Sequence, residues 1–191
     1  MIISITINGV LRDILSKFEE VYEKYYDTKV LSSVVTPNLL EYVDFKDEEE
    51  LIDFLYNDAT MEIFGQAREV ENNVISYLID LYKEMPSNYK LRIVSDELGK
   101  SKPATLWFLA KYGVVCDEII FYHKNNIKDI WETTDIFITT DTKIIETKPK
   151  NKKLIIIDKC YNSDMVSDLR INSIKKITSF ENAFEETIAI E

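Results

Sequence analysis

Hydrophobic and polar positions along the chain follow two periods. Residues 2–7 are β-branched and apolar almost throughout, which predicts a short buried strand. After Gly9, residues 13–27 change to a helical period, with Ile14, Leu15, Phe18, Val21, Tyr22 and Tyr25 on one face. Asp13 stands at the start of that helix, where an acid caps or complements the dipole. Residues 28–46 are irregular, and the acidic run Asp47-Glu48-Glu49-Glu50 opens a second predicted helix over 47–58. A third helix is predicted over 67–85, with Val70, Val74, Leu78 and Leu81 at spacings of four, four and three, ended by Pro86.

From residue 91 the pattern alternates. Strands are predicted at 91–95, 118–122, 135–139 and 153–158. Helices are predicted at 101–113, with Ser101 as N-cap, Pro103 in the first turn and Gly113 past the end, and at 126–134. A last helix is expected over 180–187 behind Ser179. Apolar strands alternating with helices imply a mostly parallel sheet covered on both faces. Ligands in such sheets sit beyond the carboxyl ends of strands. Three such ends, Thr6-Ile7-Asn8, Ser95-Asp96 and Thr139-Thr140-Asp141, are therefore expected to lie together.

Composition narrows the function classes. The chain has 191 residues, with 46% hydrophobic and 30% charged side chains, which suits a folded domain with a real core. A net charge of -11 argues against direct nucleic-acid binding and suits a solvated acidic face or a basic partner. Cys116 and Cys160 lack the spacing of a zinc site, and as neighbours of apolar runs they are expected to be buried thiols in a reducing compartment. The single histidine, His123, has no companion for metal binding. No basic-then-apolar leader and no stretch of membrane-spanning length is visible, so a soluble intracellular protein without membrane partners is expected. Trp107 and Phe108, with Leu106 and Leu109, read as buried core; Tyr22, Tyr25, Tyr26 and Tyr56 are candidates for a nucleobase pocket or a protein-binding surface. The one basic cluster, 148–153, reads as a solvated turn.

The residues at the strand ends carry a resemblance. The run I-T-I-N-G-V-L at 5–11 resembles the D-x-D-G-V-L opening motif of haloacid-dehalogenase-type (HAD) phosphohydrolases. The run R-I-V-S ending at Ser95 is similar to their second motif, and K-D-I-W-E-T-T-D-I-F-I-T-T from Lys128 to Thr140 to their third and fourth. The chain most resembles the 5'(3')-deoxyribonucleotidase-like branch, some members of which bacteriophages carry. The resemblance implies a Rossmannoid three-layer α/β core over 1–12 and 87–191, with a helical cap inserted at 13–86. Carried over position by position, Thr6 takes the nucleophile's place and Asn8 the acid/base's, while Thr139 and Thr140 replace the metal-binding acid pair. Ser95 and Lys128 (or Lys124) remain as phosphate contacts.

A threonine without a base is a poor nucleophile and an amide has no proton to give near neutral pH. Mg²⁺ prefers carboxylates, and three anionic ligands are missing. The expectation is a catalytically inactive HAD-like protein, with no catalytic residues, no metal and no cofactor. It would serve a structural, assembly or protein-binding role with other proteins, in a host cell's cytoplasm or as a bacteriophage virion component. Two alternatives stay open: a Mg²⁺-dependent nucleotidase whose ligands have moved, for example to Asp96 or Asp141, and a non-catalytic phosphate or nucleotide binder.

Overall fold

The computed structural model describes residues 1–30, 38–122 and 126–183. Its main sheet has six parallel strands in the order β5-β4-β1-β6-β7-β8. They are β1 Ile2–Thr6, β4 Lys90–Asp96, β5 Glu118–Tyr122, β6 Ile136–Thr139, β7 Lys153–Ile157 and β8 Leu169–Ile171. The chain passes from β1 outward to β4 and β5, then restarts on the other side of β1 with β6. This makes the carboxyl end of β1 a topological switch point, where an open crevice forms. Ile3 and Ile5 of β1 pair with Leu91 and Ile93 of β4 on one side and with Ile136 and Ile138 of β6 on the other. All six are buried, consistent with a strand covered on both faces.

Around the sheet lie α3 Val74–Lys83, α4 Ser101–Lys111, α5 Ile127–Thr133 and the short α6 Thr142–Glu146. Between β1 and α3 come the two-residue strand β2 Arg12–Asp13, α1 Ile14–Tyr26, α2 Glu48–Asp53 and the two-residue strand β3 Arg68–Glu69, which pairs antiparallel with β2. Asp13 caps α1 by accepting from the Ser16 N–H, and Asp47 caps α2 by accepting from the Glu50 N–H. Two π-helical turns, Phe54–Asp58 and Met61–Gly65, follow α2.

The third predicted helix begins seven residues later than its apolar spacing suggested. Asn73 adopts a left-handed conformation (φ 62°), which stops the helix from extending backward, and Arg68–Glu69 are spent on the ribbon with β2. The Glu69 carboxylate then caps α3 from a distance, accepting the Ile75 N–H at 2.8 Å. Packing divides the expected insert over 13–86 in two. Val74, Ile75, Leu78 and Leu81 of α3 share a cluster with Ile3, Ile5 and Leu91 of the sheet, whereas Phe18, Tyr22, Leu51, Phe54 and Ile63 form a cluster of their own.

At α4, Lys100 rather than Ser101 is the cap residue, and Ser101 instead closes the preceding turn on Leu98. Gly113 (φ 65°) ends α4 with paired bonds, its N–H to Ala110 O and the Val114 N–H to Leu109 O, so a glycine is required there. Phe108 and Leu109 are core, but Leu106 and Trp107 are 44% and 45% exposed, because only one side of α4 meets the sheet. Residues 180–183 form a turn in which Ser179 accepts the Asn182 N–H; the rest of the last predicted helix lies outside the described residues. No helix among the described residues is long and apolar enough to cross a membrane.

Candidate functional site

The three strand ends meet as expected. Thr6, Asn8, Ser95, Asp96, Thr140 and Asp141 all face one cavity of about 550 Å³. Ile14, Leu15, Asn38, Leu39 and Tyr56 from the segment between β2 and β3 close it from above. Gly9 (φ 76°) makes the turn after β1, and a Cβ there would lie 2.5 Å from Thr140 Oγ1, so the glycine is what lets the β1 and β6 loops touch.

The floor is a closed network. Thr6 Oγ1 donates to Thr139 Oγ1 at 3.0 Å, and the Asp141 N–H donates to the same oxygen at 2.9 Å. Thr139 is fully buried below the cavity and Thr140 donates to the Asn8 carbonyl at 3.0 Å. Asp141 caps α6 through Oδ1, which accepts the Lys143 N–H, and its Oδ2 accepts the proton of Tyr122. Burial beside Asp141 pushes the Tyr122 phenol well above its ordinary pKa. Burial, with Asp96 and Glu97 nearby, also raises that of Tyr56; burial raises that of Tyr161, which is hydrogen-bonded to Thr140.

Behind this floor sits a pair that sequence reasoning missed. Arg12 and Glu97 have no exposed side-chain surface and meet at 2.9 Å. Arg12 also donates to Asn8 Oδ1, Thr105 Oγ1 and the Phe64 carbonyl, and lies 5.2 Å and 5.3 Å from the ring centres of Phe64 and Phe108. Burial lowers the pKa of Arg12 and Glu97 opposes the shift. Glu97 Oε1 accepts three donors, from Arg12, Ser95 and Thr105, while Glu97 Oε2 is buried with no partner in the protein. One guanidinium therefore ties the loop after β1 to β4, to α4 and to the segment ending at Gly65. The partners lie 85 positions apart, and neither carries a local signal.

Ser95 is where it was expected, buried at the end of β4, but Lys128 is not. Ile127, Ile130 and Trp131 turn α5 toward the sheet, which leaves Lys128 on its exposed side, outside the cavity. Lys124 and His123 lie outside the described residues. The lysines that do line the cavity are Lys143 and Lys159. Lys159 directly follows the run ending at Asp158, so the strand-end rule could have found it; Lys143 follows the Asp141 cap and had no such signal. Of the four candidate tyrosines only Tyr56 lines the cavity, while Tyr25 and Tyr26 are 45% and 44% exposed. Cys160 is exposed rather than buried, and Cys116 is partly buried.

The resemblance implies Mg²⁺, and the described side chains do not fit it. Among the described residues no three His, Cys, Asp or Glu side chains are grouped to hold a metal ion. Of the carboxylates at the cavity, Asp13 caps α1 and Asp141 has both oxygens engaged. Thr6 and Thr139 bond to each other where two anions would be needed. Asp158, just past β7, is paired with Arg170.

No family model matches the chain and no curated protein matches it in sequence. Solved structures do. A dehalogenase captured with an intermediate complex is similar at 14% identity and a TM-score of 0.56, over 91% of this chain and 93% of its own. A HAD-superfamily hydrolase of subfamily IA from Geobacter sulfurreducens aligns at 10% identity and a TM-score of 0.48, over 92% and 96% of the two chains. An L-2-haloacid dehalogenase from Xanthobacter autotrophicus with chloropropionic acid covalently bound aligns at 12% identity and a TM-score of 0.47, over 82% and 76%. The likeness to the first of these shows that the chain has a HAD-like α/β fold.

Proposed function

We propose that this protein uses a HAD-like fold without its hydrolytic chemistry and works through binding, as a catalytically inactive member of a larger protein assembly. The single observation behind this reading is the Thr6–Thr139 hydrogen bond at the switch point. Two neutral hydroxyls satisfy each other where the resemblance calls for a nucleophilic carboxylate and a metal ligand. The Thr6 hydroxyl gives its proton to Thr139, a neutral hydroxyl that is no base to activate it. Asn8 is held by Arg12 Nε through Oδ1 and carries no titratable proton.

Partners that are proteins are favoured by the surface. Residues 14–65 carry thirteen acidic and four basic side chains, and half-exposed Tyr25 and Tyr26 lie among them. An acidic surface with exposed tyrosines suits a basic protein partner. A place in a bacteriophage particle is the assembly that the nucleotidase-like resemblance suggests.

The test is phosphate release from phenyl phosphate with Mg²⁺, Mn²⁺ or Zn²⁺, together with co-purification from the native source. No release above the buffer rate and a stable protein complex are expected. Metal-dependent release abolished by Asp96→Asn or Asp141→Asn would establish relocated ligands and overturn the proposal. In the reverse direction, joint Thr6→Asp, Asn8→Asp and Thr140→Asp substitution is expected to create measurable Mg²⁺ affinity.

A further inference from the structure

We infer that the cavity takes a neutral, hydroxyl-bearing small molecule and turns phosphate esters away. The inference rests on the non-hydrolytic reading above and concerns what the same cavity binds. It follows from where the hydroxyl protons go. A hydroxyl has one proton and two lone pairs. Thr6 gives its proton to Thr139, Ser95 to Glu97 Oε1 at 2.8 Å, Thr140 to the Asn8 carbonyl and Tyr122 to Asp141. Four hydroxyls around one cavity thus donate inward and keep only lone pairs for a ligand.

Two loop amides are spent in the same way. The Gly9 N–H goes to the Arg12 carbonyl at 2.9 Å and the Asp141 N–H to Thr139. A phosphate dianion is a pure acceptor, and against the floor hydroxyls of Thr6, Ser95, Thr140 and Tyr122 it meets lone pairs in place of protons. Charge points the same way. Asp96 and Asp141 face the cavity, and the Glu97 carboxylate lies directly behind Ser95. Lys143 and Lys159 stand against three aspartates, since Asp13 also lines the cavity, and do not supply the cationic excess an anion site requires.

A ligand that donates is matched by this floor. Sugar-type hydroxyls can donate to Thr6, Ser95 and Thr140, and a planar or apolar body fits against Ile14, Leu39 and the ring of Tyr56. A cavity of about 550 Å³ holds a molecule of that size. An aryl glycoside is the simplest compound with both halves.

Saturation-transfer NMR and calorimetry on the full chain, with phenyl β-glucoside, phenyl phosphate and inorganic phosphate as probes, decide the matter. The glucoside is expected to bind, and the phosphate ester at least tenfold more weakly. Thr140→Val is expected to weaken glucoside binding roughly fivefold, the worth of one hydrogen bond, with unfolding followed alongside to confirm the fold. Asp96→Asn is expected to narrow the gap between the two probes by removing an anion. Phenyl phosphate binding as tightly as the glucoside, or no transfer to the glucoside at millimolar concentration, overturns the inference. Ester binding without phosphate release leaves the non-hydrolytic reading intact; phosphate release overturns that reading instead.

Discussion

The sheet and the helical segment at 14–65 bury different kinds of side chain. Around the strands the buried residues are mainly isoleucine, leucine and valine, supplied by β1, β4, β6 and β7 and covered by α3. In the segment at 14–65 aromatic rings share the core with aliphatic side chains: Phe54 packs against buried Phe18 and Tyr22, partly buried Phe45 and the half-exposed Tyr25 and Tyr26, at centroid distances of 5.5–6.3 Å. Charge divides just as unevenly, since that segment holds nine of the eleven net negative charges. Aliphatic strands interlock through a shared hydrogen-bond ladder, whereas a small aromatic cluster holds a few short helical turns with little ladder of its own. Ala104 and the Arg12 network join the two. The region that roofs the cavity is thus attached to the floor in two ways, by the packing of Met61–Gly65 on α4 and by one buried cation.

The sharpest way to break this comparison is at that cation. Arg12→Ala leaves Glu97 buried without a counter-ion and should cost about 3–5 kcal/mol in denaturant unfolding. Joint Arg12→Met and Glu97→Gln substitution should recover much of the loss. A single mutant that unfolds like the unaltered protein would remove Arg12 from its role as the tie.

Matched truncations separate the two regions next. Phe54→Ala and Ile138→Ala should each cost roughly 2–5 kcal/mol by vacating buried volume. Hydrogen exchange distinguishes them. Phe54→Ala should speed exchange within 14–65 and spare the amides of β1 and β6, while Ile138→Ala should speed both. Equal acceleration everywhere after Phe54→Ala would mean that the regions unfold as one.

The smallest effect concerns the buried phenols. Tyr56, Tyr122 and Tyr161 all have pKa values raised by burial, so the folded form holds protons that the unfolded chain releases near pH 10. Their contribution to stability is complete below about pH 10 and is lost as pH rises above it. An ultraviolet titration should show part of the tyrosine signal delayed until unfolding; ionisation of all tyrosines near pH 10 in the folded protein would contradict the burial.

Much of the framework was legible in local pattern. β1, β4, β5, β6 and β7, the Asp13 cap and the Gly113 terminus all follow from runs of fewer than a dozen residues. What local pattern misses is set at long range or is too short to have a period. β2 and β3 have two residues each, and their pairing removed the first turns of an expected helix. β8 is a three-residue edge strand with partly buried side chains, so it shows no alternation. At the site, Ser95, Asp96 and Asp141 meet at one cavity as the strand ends led one to expect, because topology alone assembles them. Lys128 lies outside the cavity, because its motif position says nothing about which side of α5 meets the sheet. Arg12 read as an ordinary polar residue before a helix, since three of its four hydrogen-bond partners come from other parts of the chain.

The position of Cys160 has a practical consequence. It is exposed and sits between Lys159 and Tyr161, both at the cavity. Cys116 is partly buried, and burial raises its thiol pKa, so it reacts more slowly near neutral pH. A maleimide fluorophore would therefore attach preferentially at one point on the rim, giving an optical reporter of cavity occupancy without any engineered substitution.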